Sequence, residues 1–145
     1  MDKYITHSRS ETEKAAADFA KRLKPGDIVA FFGGLGAGKT AFTGGIAKGL
    51  GMECEVTSPT FTICNEYTFA EKVLLHYDMY RVESWGDLYS TAFFDAIDSG
   101  AYIVVEWAEN IFNALPDGCY IVEISTVSEN EREIKIYLKG EQSQC

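Results

Sequence analysis

The chain carries Gly33-Gly34-Leu35-Gly36-Ala37-Gly38-Lys39-Thr40, which fits the pattern G-x-x-x-x-G-K-[ST], directly after the apolar run Ile28-Val29-Ala30-Phe31-Phe32. Glycines let a backbone curl around an anion with its N–H groups pointing inward, in dihedral regions that a Cβ would exclude. The pattern therefore predicts a strand, a phosphate-binding loop and a helix that begins near Lys39 with its positive end towards the anion. A glycine-rich turn between strand and helix, without a ligand, is the structural alternative.

Two side chains at the end of this segment indicate which anion it binds. From an expected surface position, the Lys39 ammonium can reach the β- and γ-phosphates of a nucleotide. The Thr40 hydroxyl stands where a Mg²⁺ ion that bridges those phosphates needs a ligand. The predicted ligand is a nucleoside triphosphate with Mg²⁺. The expected binding residues are Gly34, Leu35, Gly36, Ala37, Gly38, Lys39, Thr40 and Ala41.

Length and composition predict a single domain. The 145 residues are enough for one hydrophobic core, expected over residues 1–139, with a flexible tail at 140–145. We find no apolar run long enough to span a bilayer, no secretory signal at the start, and no C-x-x-C spacing among the four cysteines. These features favour the cytoplasm. The net charge of −9 argues against a broad nucleic-acid surface, so we expect any contact with RNA to be made through a partner.

The hydrophobic periodicity predicts alternating strands and helices. Ser8 or Ser10 is expected to cap the first helix, and the helix after the glycine-rich loop is expected to end at Gly51. Glycines inside that second helix are attributed to its close approach to the sheet. The other predicted elements are a hairpin of strands 62–67 and 73–78, a helix over 84–97, a strand over 102–107, and a hairpin of strands 120–124 and 133–138.

Hydrolysis of a nucleotide needs a carboxylate that holds the metal ion and a group that positions or deprotonates water. Asp78 and Glu106 each end an apolar strand, and open α/β folds place their ligands at the carboxyl edge of the sheet. Chemistry alone does not tell which of the two holds Mg²⁺. A helix cap or a surface carboxylate is the structural alternative for both.

Other polar residues have both a functional and a structural interpretation. The segment Ser58-Pro59-Thr60 could fold over the γ-phosphate or be a plain loop. Trp107 could stack near a nucleotide or belong to the core. Arg81 and Arg132 could contact phosphates or pair with local carboxylates. His76 lies in an alternating strand and is interpreted as structural.

Taken together, these motifs resemble those of the TsaE family, the small bacterial ATPases of tRNA threonylcarbamoyladenosine biosynthesis. The resemblance covers nearly the whole chain, and Gly34 departs from it because the family commonly has Asp there. The phosphate loop is shared by many families, whereas the later motifs are specific. The matching segments are 34–40, Ser58-Pro59-Thr60-Phe61-Thr62 leading to Glu66-Tyr67, His76-Tyr77-Asp78-Met79-Tyr80-Arg81, and Glu106-Trp107-Ala108-Glu109.

The resemblance implies a three-layer α/β/α P-loop NTPase with a mixed, mainly parallel central sheet, which acts with TsaB and TsaD on adenosine 37 of tRNAs that read codons beginning with adenine. By analogy Lys39 contacts the phosphates, Thr40 and Glu106 coordinate Mg²⁺, and Asp78 orients or deprotonates the attacking water. The segment Ser58-Pro59-Thr60 acts as a switch loop. Trp107 lies near the ATP, and Arg132 and Ser8 lie at its base or ribose end.

Of three rival functions, two are less consistent with the sequence. A small-molecule kinase needs a mobile lid with clustered arginines, and the four arginines of this chain are scattered. A GTPase switch usually reads guanine with an Asn-Lys-x-Asp run, which the sequence lacks. A nucleotide-binding scaffold whose hydrolysis is incidental shares every motif, so an experiment must separate it from an ATPase.

Overall fold

Strands and helices alternate through the part of the chain that the structure, a computed structural model, describes: residues 2–32, 38–52, 56–57, 59 and 63–140. The elements, in chain order, are β1 (Asp2–Thr6), α1 (Arg9–Ala20), β2 (Ile28–Phe32), α2 (Lys39–Gly49), β3 (Cys64–Phe69), β4 (Lys72–Asp78), α3 (Trp85–Tyr89), α4 (Phe93–Asp98), β5 (Tyr102–Glu106), a 3₁₀ helix (Ala108–Ala114), β6 (Tyr120–Thr126) and β7 (Arg132–Leu138). None of the helices in these ranges is long and apolar enough to cross a membrane.

The strands form one mixed sheet in the order β1-β7-β6-β2-β5-β4-β3. The four central strands, β6, β2, β5 and β4, run parallel, while antiparallel pairs close both edges. Both predicted hairpins are present, as β3 with β4 and as β6 with β7. The predicted α/β fold with a mixed sheet, parallel at its centre, is therefore confirmed.

Helices cover both faces of the sheet, which gives three layers. On one face α1 and α2 pack Phe19, Phe42 and Ile46 against the sheet. On the other face Phe93 of α4 and Ile111 of the 3₁₀ helix belong to a second apolar cluster. The central strands are buried on both faces, as expected for parallel strands between two helical layers. Residues 141–145, nearly all of the predicted tail, lie outside the described residues.

The glycines of α2 serve a different contact from the one predicted. A Cβ on Gly45 would lie 2.3 Å from the backbone oxygen of Glu13, and a Cβ on Gly49 would lie 2.5 Å from that of Ala17. Both neighbours belong to α1, so these glycines let the two helices approach closely. The prediction that they serve the approach to the sheet was wrong, because periodicity does not reveal which neighbour a small residue faces.

Side-chain hydroxyls fix the ends of the helices. The Ser8 Oγ accepts a hydrogen bond from the Glu11 N–H at 3.1 Å, so Ser8 is the residue that caps α1. The predicted helix over 84–97 is in fact α3 and α4. Thr91 separates them, because its hydroxyl donates to the Leu88 carbonyl and accepts from the Phe93 N–H. Ala92 then has a left-handed φ of 59°.

Candidate functional site

The candidate site lies at the carboxyl ends of β2, β4 and β5, next to the start of α2. Gly38 is the N-cap of α2 with φ 97°, a left-handed conformation that favours glycine. The first N–H groups of α2 have no partner in their own helix, so this end suits an anion. Residues 33–37 lie outside the described ranges, and the roles of Gly34, Leu35, Gly36 and Ala37 stay predictions.

A cavity of about 490 Å³ opens at this point, within the usual size range of small-molecule sites. It brings together predicted site residues from four separate parts of the chain. They are Ser8, Gly38, Lys39, Thr40, Ala41, Glu106 and Arg132. The wall is completed by side chains that the sequence did not single out, namely Arg9, Thr12, Glu129 and Asn130.

These additional wall residues come from the start of α1 and from the loop between β6 and β7. They meet because β1 pairs with β7, with Thr6 opposite Arg132. The Thr12 hydroxyl also shares a hydrogen bond of 2.8 Å with the hydroxyl of Thr6. No sequence signal relates Thr12 to Asn130, since their proximity depends on the order of the strands.

Lys39 is buried, not at the surface as predicted. Its side chain is 6% exposed, and its Nζ lies 5.1 Å from the centroid of the Trp107 ring. An ammonium over the face of an indole is attracted by the ring quadrupole. Trp107 follows β5 with a left-handed φ of 58° and contacts the Tyr80 ring. Trp107 thus lies next to the site, because it contacts Lys39, which lines the cavity.

The two carboxylates predicted for the site face each other across two parallel strands. Asp78 of β4 is in register with Glu106 of β5. Glu106 is 7% exposed and lines the cavity together with Thr40. Asp78 is half-buried, and its Oδ1 accepts a hydrogen bond from the Tyr80 N–H at 2.9 Å. Of the two carboxylates, only Glu106 is among the described residues that line the cavity.

His76 was interpreted as structural, and the structure places it against Glu106. Its Nε2 lies 2.6 Å from the Glu106 Oε2, and the ring is fully buried. Residues two apart in a strand share a face, so the spacing of His76 and Asp78 already put both on the same side of β4. What the sequence could not give is that β5 lies beside β4 and brings Glu106 to the ring.

Arg132 lines the cavity while its guanidinium holds the loop before β7. Its Nη1 donates to the carbonyls of Ser128, Glu129 and Glu131 at 3.0–3.3 Å. The other predicted phosphate contact, Arg81, is exposed after β4 and is not among the described residues that line the cavity.

Of the predicted switch loop, Pro59 is described and buried, whereas Ser58 and Thr60 lie outside the described residues. The residue before this segment is held by β3. The Asn65 Nδ2 donates to the Thr57 carbonyl at 3.1 Å, and the Tyr67 hydroxyl bonds both the N–H and the carbonyl of Thr57. Thr57 is therefore anchored to the edge strand.

The fold and the site define an α/β protein with a polar cavity at the carboxyl edge of a parallel sheet, beside the start of a helix. Residues 6–134 match the family model described as threonylcarbamoyl adenosine biosynthesis protein TsaE. The chain therefore belongs to the TsaE family, as the resemblance in sequence motifs indicated.

Individual relatives agree with this assignment. The chain is 40% identical over 139 residues to the tRNA threonylcarbamoyladenosine biosynthesis protein TsaE of Bacillus subtilis, which covers 95% of this chain and 86% of the relative. It is 36% identical over 140 residues to the Rickettsia felis protein of the same name, with 96% and 81% covered. The crystal structure of YdiB from Bacillus subtilis superposes with a TM-score of 0.76 at 34% identity, covering 95% of this chain and 84% of YdiB.

Proposed function

We propose that this protein binds and hydrolyses ATP with Mg²⁺, and that this activity serves the formation of the threonylcarbamoyl group on adenosine 37 of tRNAs that read codons beginning with adenine. The observation that carries the proposal is the cavity that joins Lys39 and Thr40, at the start of α2, to Glu106 at the end of β5. The names of the relatives support the pathway.

The donor set of the cavity fits a magnesium nucleotide. Mg²⁺ is usually held by one or two protein oxygens together with phosphates and water, and Thr40 and Glu106 line the same cavity. These two residues would hold the ion. Bound there, Mg²⁺ would neutralise charge on the phosphate oxygens.

The other residues of the site each have a defined task in this proposal. Lys39 and the first N–H groups of α2 bind the phosphates and stabilise the charge that develops on them. Asp78, in register with Glu106, orients the attacking water or accepts its proton. Trp107 covers the Lys39 ammonium and excludes water from it. Ser8 and Arg132 also line the cavity, and we assign them to the ribose or base end of ATP.

Hydrolysis by the chain alone is expected to be slow. Of the two arginines that line the cavity, Arg132 bonds loop carbonyls, and Arg9 is exposed with its Nε 3.9 Å from the Glu13 carboxylate. An arginine that is supplied in trans can raise phosphoryl transfer by about 10³–10⁵. We therefore propose that TsaB and TsaD complete the site and that nucleotide binding controls the association with them.

Purified components test the ATPase proposal. Steady-state hydrolysis should be slow for the isolated protein and should rise when the TsaB–TsaD complex is added. Fast hydrolysis that ignores the complex would contradict the role of the partners. A variant that binds ATP but does not hydrolyse it should fail to complement a depleted strain, and full complementation would favour the scaffold alternative.

Mass spectrometry of tRNA nucleosides tests the pathway. Depletion of this protein should lower threonylcarbamoyladenosine, and an unchanged level would refute the assignment. We expect tRNA itself to bind poorly without partners, because the chain has a net charge of −9 and phosphate backbones are bound by clustered Lys and Arg.

A further inference from the structure

We propose that His76 is a positioning residue that holds the carboxylate of Glu106 at the wall of the cavity. This inference rests on the proposed function, since it concerns how Glu106 is presented to Mg²⁺. The contact that carries it is the hydrogen bond of 2.6 Å between the His76 Nε2 and the Glu106 Oε2.

The pair is buried on the sheet face that α2 covers. His76 is fully buried and Glu106 is 7% exposed, so both side chains have lost most of their hydration. A buried carboxylate is costly unless hydrogen bonds compensate for the lost hydration. A donor on a rigid central strand meets this need and also fixes the side-chain torsions of Glu106. His76 and Glu106 sit on neighbouring strands whose register places Val104 opposite His76, which sets the separation of the two side chains.

The surroundings of the second ring nitrogen, Nδ1, indicate which tautomer His76 adopts. His76 Nδ1 is buried, and within the described ranges no hydrogen-bond partner lies near it. A proton on Nδ1 would be a buried donor without an acceptor, which carries the full desolvation penalty, whereas a bare nitrogen there is less costly. The proton therefore belongs on Nε2, where Glu106 accepts it. His76 is then a donor of one hydrogen bond with a fixed direction.

In this arrangement, His76 contributes to the Mg²⁺-dependent part of ATP binding and not to the Mg²⁺-independent part. His76 contacts Glu106, whereas the Lys39 ammonium faces Trp107, 5.1 Å from its ring centroid. Loss of the His76 donor should weaken the Mg²⁺-dependent part of ATP binding and leave the Mg²⁺-independent part unchanged. Residues that orient a metal ligand typically contribute 10–100-fold to metal affinity, so we expect an effect of about that size.

The tautomer is tested by NMR of the ring nitrogens at neutral pH, without any nucleotide. The sequence has two histidines, and His7→Gln removes the signals of the exposed one. Long-range ¹H–¹⁵N correlations should show a protonated Nε2 and a bare Nδ1 in His76. A proton on Nδ1 would overturn the proposal whether or not the protein is an ATPase.

Two substitutions test the positioning role. His76→Gln keeps an N–H donor at about the reach of Nε2, whereas His76→Leu removes it while keeping an apolar side chain in the pocket. The Mg²⁺ concentration for half-maximal ATP binding should rise about 10–100-fold in His76→Leu and stay close to wild type in His76→Gln. ATP affinity in EDTA should be the same for all three proteins.

The possible results distinguish failure of this inference from failure of the proposed function. Equal losses with and without Mg²⁺ in a folded His76→Leu protein would mean a general structural role and would overturn the inference. The inference also fails if a folded His76→Gln protein loses as much Mg²⁺ affinity as His76→Leu. If His76→Leu does not fold, His76→Gln and the NMR spectrum still decide. If the wild-type protein does not bind ATP with Mg²⁺ at all, the proposed function fails instead.

Discussion

The Nζ of Lys39 lies 5.1 Å from the ring centroid of Trp107, so the buried cation of the glycine-rich segment lies against a half-buried indole. Lys39 begins α2 and Trp107 directly follows β5, which means that two central elements converge at this contact. A phosphate that binds the ammonium must change the surroundings of the indole. This contact makes Trp107 a natural reporter of the proposed site.

Trp107 fluorescence should respond to nucleotide. In a Trp85→Phe protein Trp107 is the remaining tryptophan, and its emission should shift when ATP or ADP is added with Mg²⁺. The control is Trp107→Phe, because Trp85 is 55% exposed and stacks on Phe94 of α4. Its emission should not change. A Trp85→Phe protein that ignores saturating nucleotide would remove Trp107 from the site.

Substitution of Lys39 should weaken ATP binding. A hydrogen bond to a charged group contributes about 1.5–3 kcal/mol, so Lys39→Ala should lower ATP affinity by roughly 10–100-fold. Because Lys39 is buried, Lys39→Met serves as a second variant that keeps the aliphatic stem and removes the charge. Isothermal titration calorimetry gives the affinities. Lys48→Ala, on the exposed end of the same helix, should bind like wild type.

Unaltered ATP affinity in both Lys39 variants would refute the phosphate-loop assignment. A loss in Lys39→Ala alone, with Lys39→Met unaffected, would attribute the effect to packing against Trp107 instead of charge.

The two carboxylates should affect hydrolysis more than binding. Asp78→Asn and Glu106→Gln are expected to keep nucleotide bound while turnover falls by on the order of a hundredfold or more, because a base or a metal ligand is lost. Turnover should be measured with saturating ATP in the presence of TsaB–TsaD. Glu71→Gln, an exposed carboxylate in the turn before β4, is the matched control. Wild-type turnover in Asp78→Asn and Glu106→Gln would make these residues structural.

Features of the fold that depend on local patterns could be predicted from the sequence. The run Ile28–Phe32 followed by Gly33–Thr40 predicted a strand and a helix start, and the helix indeed begins at Lys39. Asp78 and Glu106 each end an apolar strand, and parallel strands bring such ends to one edge. That both residues lie at this edge therefore followed from the chain alone, whereas their adjacency did not.

Features that depend on strand order or on tertiary packing could not be predicted. The contact of Lys39 with Trp107 requires the end of β5 to lie near the start of α2, and the His76–Glu106 contact requires β5 to lie beside β4. The break between α3 and α4 depends on whether the Thr91 hydroxyl bonds the backbone, which periodicity does not reveal. In each case the structure is determined by a contact between residues far apart in the sequence, or by a side-chain hydrogen bond to the backbone, and not by the local pattern.

Stability should fall with rising pH above pH 9. Burial raises the pKa of the Cys119 thiol from 9.0 to about 11. The folded state then holds this proton where the unfolded chain has lost it, so the contribution to stability is complete below pH 9 and declines as pH rises towards 11. Urea unfolding at pH 8, 9 and 10 should show a shallower decline for Cys119→Ala than for wild type.

Between pH 9 and 10, the effect of Cys119 on stability can be distinguished from that of Tyr77, a buried tyrosine of the same apolar cluster. Burial raises the pKa of Tyr77 from 10.0 to about 12, so its contribution declines at higher pH. Burial also raises the pKa of Cys64, and Cys64→Ala should therefore flatten the decline in its own right. Parallel pH profiles for wild type and Cys119→Ala would show that this thiol titrates normally in the folded protein.

Neighbouring glycines of α2 should respond in opposite directions to alanine. At Gly45 the new Cβ would meet the Glu13 backbone at 2.3 Å, so α1 and α2 must separate, and such overpacking typically costs about 1–3 kcal/mol. At Gly44 nothing lies within 4 Å, and alanine should stabilise the helix by about 1 kcal/mol. Because both glycines lie in the same helix, the difference between the two variants reports the contact with α1 and not the helix propensity. The free energy of unfolding in urea measures the effect of each substitution.

Gly45→Ala should also affect the candidate site, because the packing of α1 against α2 positions the residues that line the cavity. Ser8, the N-cap of α1, and Thr12 within it line the cavity wall, whereas α2 contributes Lys39. If Gly45→Ala moves the helices apart, these walls separate, so ATP affinity should fall in Gly45→Ala and stay at the wild-type value in Gly44→Ala. Calorimetric titration of both variants with MgATP, at a temperature where both are folded, makes the comparison. Equal stability and equal affinity for the two proteins would mean that α1 and α2 do not pack as closely as described.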